Sequence, residues 1–408
     1  MKQIRNIRNI AVYALAFGIG TLSVACGDDS EGRIEINNAA PAQVSDVKYT
    51  EGPGEVRLEW KIPADPSFMY TKVEYKNSRG EDTYRMYSKD HADENGVIRA
   101  TIPGFASTDP VEFRLYACSV RGNSRDAVVY SAAPGAPAFL MVAQSVSAEP
   151  AWGGVNVSYA NETDANVIIS VKYHLKSDAS KAGETSFTAN GNTTASSFVA
   201  LNISDSEFIN GEEAVLEISA QDSEGNSADP RSVEVRTKKV VALDRTNWSF
   251  PGFADTNDAQ IGYSSQEAGG EGGYPRGRVV AMLDGDEGTF WHTAWKTASD
   301  YPHFFIIDMG EENLVTSVTI RRRSGNNGTN TGQTIYTCSE AAATGSSPDE
   351  WNWTNQGWNP FDRNSDKHQM FGMPNPENAR YIKVYYASSD KGGNFVMVSE
   401  FNAYTPAE

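Results

Sequence analysis

Cysteine and histidine are scarce in this sequence, with three cysteines and five histidines among 408 residues. The cysteines that follow Cys26 are Cys118 and Cys338, which fall in segments that we predict below to be different domains. The sequence therefore excludes a disulfide framework, and stability must come from ordinary hydrophobic cores.

Basic charge is also scarce, because 35 lysines and arginines stand against 53 aspartates and glutamates. The formal net charge is −18 at pH 7. A surface of this sign repels phosphate groups, so nucleic acid and anionic lipid are disfavoured as partners.

Apolar runs are few, and with 39% hydrophobic residues the chain is too polar for a protein with several membrane spans. One run, from Ile10 to Ala25, follows a basic segment that contains Lys2, Arg5 and Arg8. The run is too short and too interrupted by glycine to predict a spanning helix. The pattern is typical of a secretory signal peptide over residues 1–25.

The apolar run ends in "LSVAC", a series of small residues that closes on Cys26. This motif resembles the lipobox of bacterial lipoproteins, which implies that Cys26 is lipidated and that residues 26–41 are a tether. The acidic "GDDSEGR" that follows resembles the surface-export signal of Bacteroidetes lipoproteins. We therefore expect the protein at the cell surface, held to the outer membrane through its lipid anchor only. The alternative is a signal peptide with a chance cysteine and an acidic linker.

The segment after the tether has the period-two pattern of β-strands. In "EVRLEWKIP", Val56, Leu58 and Trp60 alternate with charged residues, as in a strand with one buried face. Further strands are indicated at "TKVEYKNS" and "PVEFRLYACSVRGNS", with turn residues between them. The first domain is predicted to be all-β.

A second copy of this pattern follows. "VRLEW" from Val56 matches "VNVSY" from Val155, and a "GNS" triplet occurs at both Gly122 and Gly225. The sequence predicts two tandem sandwiches at 42–134 and 138–238, which "SAAPGAPA" divides. Both resemble fibronectin type III or immunoglobulin-like domains, and the second copy is more degenerate.

The third predicted domain covers residues 243–408. The ordered motifs "AMLDGDEGTFW", "FIIDMG", "RYIKVYY" and "SEFNAY" resemble the discoidin, or factor 5/8 type C, fold, and in particular family 32 carbohydrate-binding modules. The resemblance implies an all-β protein that ends in a discoidin-like jelly-roll sandwich. Together with the anchor and the two spacers, the chain resembles the surface glycan-binding proteins of Bacteroidetes starch-utilisation-type importers. The implied partners are a glycan and an outer-membrane transporter complex.

Asp284, Asp286 and Thr289 form a D-x-D-x-x-T loop in which oxygen ligands can fold around one point. Calcium accepts six to eight oxygens in irregular geometry, so it fits such a loop better than magnesium or zinc. The family resemblance implies a structural calcium closed by Glu400, with carbonyls near Ala281 and Ser399. The alternatives are an Asp- and Gly-rich turn without an ion or, less favoured, a catalytic carboxylate pair.

His292 and Trp295 follow this loop. In galactose- and N-acetylhexosamine-binding members of the resembled family, a His and an aromatic three residues later bind the sugar. By the same resemblance Arg323, Asn330 and Phe395 complete the site, with Asn326 and Asn327 as rivals of Asn330. An aromatic face takes the apolar side of a pyranose, while the polar groups bind its hydroxyls. Alternatively, Trp295 is a buried packing residue and His292 a satisfied surface histidine.

Other residues leave alternatives open. Trp291 is expected in the core, and a metal held by His292 and His303 is disfavoured because no further ligand stands at a suitable spacing. The Trp-rich segment at 350–361 either extends the sugar site or covers one end of the sandwich.

Three classes of function compete. The first is non-catalytic capture of oligo- or polysaccharide, and the second is a surface adhesin that binds host protein or glycoprotein. An enzyme is less favoured, because neither G-x-S-x-G nor H-E-x-x-H occurs.

Overall fold

The computed structural model describes residues 38–255, 258–297, 300–325, 330–345, 347–389 and 392–407. Cys26 and the predicted signal peptide lie outside the described residues, so lipidation stays a prediction. Within the described ranges, no helix is long and apolar enough to cross a membrane. The architecture is a series of β-sandwiches, which confirms the predicted all-β fold class.

The first sandwich packs a three-stranded sheet of order β1-β2-β5 on a four-stranded sheet of order β4-β3-β6-β7. As the alternation predicts, Val56, Leu58 and Trp60 of β2 are buried while Arg57 is exposed. The indole of Trp60 also donates a hydrogen bond of 3.0 Å to the hydroxyl of Thr71. The strands are β1 Ser45–Gly52, β2 Glu55–Lys61, β3 Tyr70–Lys76, β4 Asp82–Ser88, β5 Val97–Pro103, β6 Val111–Cys118 and β7 Val128–Ala132.

The second sandwich repeats this strand order, with sheets β12-β9-β8 and β11-β10-β13-β14. The repeated "GNS" closes the same turn in both copies. Gly122 and Gly225 each have φ +84°, in the left-handed region that glycine favours. Their amides donate to the carbonyls of Ser119 and Asp222. The strands are β8 Ser147–Ala151, β9 Gly154–Asn161, β10 Val167–Leu175, β11 Asp178–Ala189, β12 Thr193–Ala200, β13 Glu213–Gln221 and β14 Arg231–Arg236.

One α-helix, α1 (Ala138–Ser145), precedes the second sandwich and was not predicted. It buries Ala138, Phe139 and Val142 in the core of that sandwich. Eight residues give barely two turns, so the helical period is too short to stand out from the sequence. Packing against the sandwich, rather than local propensity, holds this helix.

The third sandwich is built around two long strands, β17 and β20, which pair with each other along most of their length. The first half of β17 (303–308) pairs with 381–386 of β20, and its second half (313–320) pairs with 369–379. The sheet order is β15-β21-β17-β20-β18-β19, and β16 pairs with β21. The strands are β15 Val240–Ala242, β16 Trp291–His292, β17 His303–Arg322, β18 Gly332–Cys338, β19 Thr354–Pro360, β20 Gln369–Tyr386 and β21 Met397–Pro406.

Cys118 ends β6 and Cys338 ends β18, and both are buried free thiols in different sandwiches. Burial raises the pKa of the Cys338 thiol to about 11. The prediction that these two cysteines form no disulfide is confirmed, and the cores of the three sandwiches are hydrophobic.

Candidate functional site

Four of the five predicted sugar ligands meet at one end of the third sandwich. His292 ends β16 and pairs with Met397 of β21, which places it beside Phe395 at a ring-to-ring distance of 5.5 Å. Arg323 directly follows β17, and its guanidinium lies 3.9 Å from the Met397 sulfur. Trp295 follows β16 and joins the group through a hydrogen bond to the carboxylate of Glu271.

Glu271 is the residue that connects these side chains, and the sequence did not predict it. Its Oε1 accepts a 2.8 Å hydrogen bond from the indole Nε1 of Trp295, and its Oε2 accepts a 3.2 Å hydrogen bond from Nη1 of Arg323. His292 Nε2 lies 3.9 Å from Oε1. The available signal was a single carboxylate within the glycine-rich "GGEGG" at 269–273, because functional residues are often found on loops.

His292 is buried and held in one tautomer. Its Nδ1 lies 2.6 Å from the carbonyl of Thr293, which can only accept, so Nδ1 carries the proton and Nε2 is an acceptor. Burial lowers the pKa of His292, with Arg323 acting in the same direction, whereas the Thr293 carbonyl and Glu271 oppose the shift. The interpretation of His292 as a surface residue is therefore wrong.

Trp295 is 39% exposed, which contradicts the alternative of a buried packing residue. Its ring lies against the backbone of Gly270, where a Cβ would be 2.7 Å from Cζ2. The Nε1 bond to Glu271 fixes the rotation of the indole. Trp295 thus presents part of a fixed aromatic surface to solvent.

Arg323 stacks its guanidinium on the Phe290 ring, 3.9 Å from the centroid. Its side chain is 28% exposed, so the donors reach solvent from a fixed position. Stacking on one side and the Glu271 carboxylate on another leave the guanidinium little conformational entropy to lose when it binds a ligand.

Glu267 supports the loop that carries these residues. Its buried carboxylate accepts from the amides of Trp295 and Lys296, at 3.3 and 3.2 Å. Burial raises the pKa of Glu267, but hydrogen bonds from these amides and that of Gly269 lower it below its usual value. An ionised carboxylate therefore ties the Trp295 segment to the glycine-rich loop.

Asn330 is buried and lies opposite Ser389 in an isolated antiparallel bridge. The structure gives it no contact with His292, Trp295 or Arg323 among the described residues. Its rivals, Asn326 and Asn327, lie outside the described residues. The assignment of an asparagine to the site stays a prediction.

Trp291 and His303 are structural. Trp291 is fully buried and donates to the carbonyl of Ser265, which confirms its prediction as a core residue. The two nitrogens of His303 contact the hydroxyl of Ser264 at 3.3 Å and the carbonyl of Asn394 at 2.8 Å. With both nitrogens engaged, His303 is not placed to bind a metal with His292.

The Trp-rich segment divides into two parts. Trp351 and Trp353 pack on each other and cover β20, since the Trp351 ring lies 4.4 Å from that of Tyr381. Trp353 also donates to the carbonyl of Pro348. Trp358 instead is 61% exposed. The segment is thus partly a cover and partly an exposed aromatic surface.

The D-x-D-x-x-T loop forms a compact turn. The hydroxyl of Thr289 donates to Asp284 Oδ2 at 2.7 Å and lies 3.4 Å from the carbonyl of Ala281. Asp286 accepts instead from the amide of Gly288 within the turn. The structure therefore brings together Asp284, Thr289 and the Ala281 carbonyl, and gives Asp286 a local role.

Glu400 lies beneath this turn and is buried. Burial raises the pKa of Glu400; the nearby Asp284 adds to the increase, while Arg245 and the amide of Gly285 oppose it. Nη1 of Arg245 donates to Glu400 Oε2 at 2.7 Å. Glu400 Oε1 is buried without a hydrogen-bond partner among the described residues.

The donor set fits calcium rather than zinc. An unpartnered buried carboxylate oxygen beside a second carboxylate, a hydroxyl and a carbonyl offers the oxygen ligands that calcium prefers. In the described parts of the chain, no three His, Cys, Asp or Glu side chains group together as metal ligands. Arg245 already supplies positive charge to Glu400, which the sequence did not predict. Ser399 is buried, and its hydroxyl bonds the carbonyls at the end of β17.

Two family models match parts of the chain. Residues 260–401 match the family model described as the F5/8 type C domain. This segment is an F5/8 type C, or discoidin, domain. Residues 41–134 match a domain of unknown function, DUF4959. No curated protein matches the sequence.

Solved structures also resemble the chain. The C-terminal domain of a chitobiase from Bacteroides fragilis is 23% identical, with 41% of this chain and 100% of that chain covered and a TM-score of 0.34. The family 32 module of NanJ from Clostridium perfringens, in complex with galactose, is 20% identical, with 40% and 98% covered and a TM-score of 0.31. A SusE-like protein is 16% identical, with 66% and 100% covered and a TM-score of 0.33. Because the identities and TM-scores are low, these similarities do not show that the chain binds the same ligand as any of these proteins.

Proposed function

We propose that the protein is a non-catalytic glycan-binding protein and that the end of the discoidin domain around Glu271 binds a sugar. The observation that carries the proposal is the contact of Glu271 with Trp295 and Arg323, beside the Nε2 acceptor of His292. These groups form one fixed cluster at the sandwich end.

The cluster is complementary to hydroxyl groups. A hydroxyl donates one hydrogen and accepts through two lone pairs. It can donate to His292 Nε2 or to Glu271 while accepting from Arg323. Trp295 and Phe395 offer apolar surface for the C–H face of the ring. Galactose or an N-acetylhexosamine is the first candidate, through the family resemblance.

Two other buried carboxylates of the third domain, Glu267 and Glu400, do not fit a catalytic role. A glycosidase needs a carboxylic acid whose pKa is raised at the sugar. The pKa of Glu267 is lowered by loop amides that oppose its burial. The pKa of Glu400 is raised by burial, but this carboxylate lies inside the sandwich and bonds Arg245.

Calcium is proposed as a structural ion of the third domain. Asp284, Thr289, Glu400 and the Ala281 carbonyl would hold it, with the backbone carbonyls of Asp286 and Ser399 as further ligands. The ion would neutralise Glu400 Oε1 and fix the turn that leads into β16 and His292.

The proposed location is the cell surface, with Cys26 as the lipid anchor, and the proposed partner is an outer-membrane transporter that receives the glycan. The two N-terminal sandwiches would act as spacers. A surface adhesin that binds host protein or glycoprotein is the second candidate, because discoidin-like and fibronectin-like modules also serve that role.

A glycan array with competition by free sugar tests the proposal. Glycan binding that free galactose or N-acetylgalactosamine reverses supports it. Binding only to proteins without glycans would instead establish the adhesin. Hydrolysis of any member of a broad glycoside panel would contradict the non-catalytic assignment.

A further inference from the structure

We infer that the chain has a second glycan-binding site, in the cleft between the second and third sandwiches, centred on Trp358. The inference rests on the proposed function only for the class of ligand, because the cleft shares no residue with the Glu271 cluster. Two adjoining cavities form the cleft, of about 490 and 410 Å³. Ligand pockets usually enclose about 300–1,000 Å³ and often lie between domains.

Both sandwiches contribute aromatic and amide side chains to the cleft. Ser196, Phe198, Trp358 and Asn359 line both cavities, so the two are continuous along this row. Trp152 extends the row in the larger cavity. Aromatic faces beside hydroxyl and amide groups are suited to pyranose rings, which have apolar faces and polar edges.

The exposed indole is held in place from below. Trp358 lies on Gly332, where any Cβ would overlap with the ring. Trp358 is nevertheless 61% exposed, compared with 39% for Trp295. A large aromatic ring that packs on the backbone with one face and is open on the other has less conformational entropy to lose when it stacks on a ligand.

Contacts between the sandwiches hold the cleft open at a fixed width. Phe198 from β12 lies against Gly372 of β20, where a Cβ would be 2.5 Å from the ring. The amide of His368 donates to the carbonyl of Asp205 at 3.0 Å, and the side chain of Asn202 donates back to the carbonyl of His368 at 3.3 Å. The two walls therefore form one preformed surface.

The charge of the cleft disfavours a cationic ligand. Of the described residues that line the two cavities, the charged ones are Lys238, Lys367 and Glu184. The whole chain, in contrast, has a net charge of −18. A neutral oligosaccharide of a few units is compatible with this lining. A strongly basic peptide is not, because Glu184 is the single carboxylate among the described lining residues.

The test compares four forms of the full chain on an array of neutral and acidic oligosaccharides: the native chain, Trp295→Ala, Trp358→Ala and the double variant. Trp358→Ala should lose about tenfold affinity for glycans of two or more units, the factor that corresponds to about 1.4 kcal/mol. Terminal monosaccharides should bind it normally. The double variant should bind none of these glycans.

Tyr84→Ala is the matched control, because Tyr84 is a similarly exposed aromatic on the first sandwich. Trp358→Phe should retain part of the affinity, and thermal melting should be unchanged in both Trp358 variants. If Trp358→Ala binds every glycan as Tyr84→Ala does while Trp295→Ala is weakened, the cleft is not a site and the proposed function stands. Loss in Trp358→Ala alone, with Trp295→Ala unchanged, would support the cleft and remove the Glu271 cluster. If the native chain binds no glycan, both proposals fail.

Discussion

His292 is the residue whose protonation state decides what the site can bind. Because burial lowers its pKa below the ordinary 6.5, the folded protein keeps a neutral imidazole at pH 7 and Nε2 remains an acceptor. Protonation converts this acceptor into a donor beside Arg323. Glu271 next to it has only acceptors when ionised.

Sugar affinity should therefore be constant from pH 8 to about 6.5 and should fall only as the pH drops through the lowered pKa of His292. The proton is bound more weakly in the folded state than in the unfolded one, so folding stability at this residue is also complete above 6.5 and declines below it. Calorimetric titrations at a series of pH values test this. An affinity that already falls between pH 8 and 7 would contradict the lowered pKa of His292.

Glu271 should be as important as the residues that the sequence predicted. Glu271→Gln keeps the size of the side chain but replaces one acceptor by a donor facing Arg323 and Trp295. We expect at least about tenfold weaker binding, because a mismatched hydrogen bond to a charged group costs about 1.5–3 kcal/mol. Glu112→Gln is the control in the same titration, because Glu112 is an exposed glutamate on the first sandwich that also accepts a hydrogen bond from an arginine. Unchanged affinity in Glu271→Gln would show that the cluster is not the site.

At the scale of elements, the sequence predicts strands well where one face is buried. It predicts the contacts of loop residues poorly. The alternation in β2 identified Val56 and Trp60 as core residues because a sandwich strand repeats every two residues. Glu271 and Arg245 were not predicted, because the first acts across a loop and the second reaches Glu400 over 155 positions in sequence. Contacts of this kind depend on tertiary packing, so the repeating pattern of apolar residues along a strand does not predict them. Motif resemblance supplied His292, Trp295 and Arg323 together, and the structure places them around one carboxylate.

The turn at 284–289 should respond to calcium. An ion that binds only the folded state adds about 2.7 kcal/mol at a hundredfold excess over Kd, so calcium should raise the Tm of the third domain and a chelator should lower it. Glu400→Gln should abolish this response. It should also lower the Tm of the calcium-free protein, because it removes the counter-charge of the largely buried Arg245; the test is therefore the further change in Tm when calcium is added. A Tm that changes with neither calcium nor chelator would contradict the proposed calcium site.

At the scale of the whole molecule, two sandwiches with the same strand order separate the predicted tether from the discoidin domain. If Cys26 is lipidated, this arrangement holds the sugar site away from the membrane. Protease treatment of intact cells should then remove the protein, and Cys26→Ser should release it from the membrane fraction. Full protection until the cells are lysed would contradict surface display.

The central claim is that the end of the discoidin domain binds sugar through Trp295 and Arg323, and calorimetric titration beside thermal melting tests it most directly. The native chain should bind galactose or N-acetylgalactosamine with a Kd between about 10 μM and 1 mM, since a few hydrogen bonds exchanged against water contribute about 0.5–1.5 kcal/mol each. Trp295→Ala and Arg323→Ala should abolish binding. Because Trp295 is 39% exposed, Trp295→Ala should lower the free energy of unfolding by less than about 3–5 kcal/mol, which is the typical loss for a buried tryptophan. Unchanged sugar binding in both variants, or loss of binding only through unfolding of Trp295→Ala, would contradict the account.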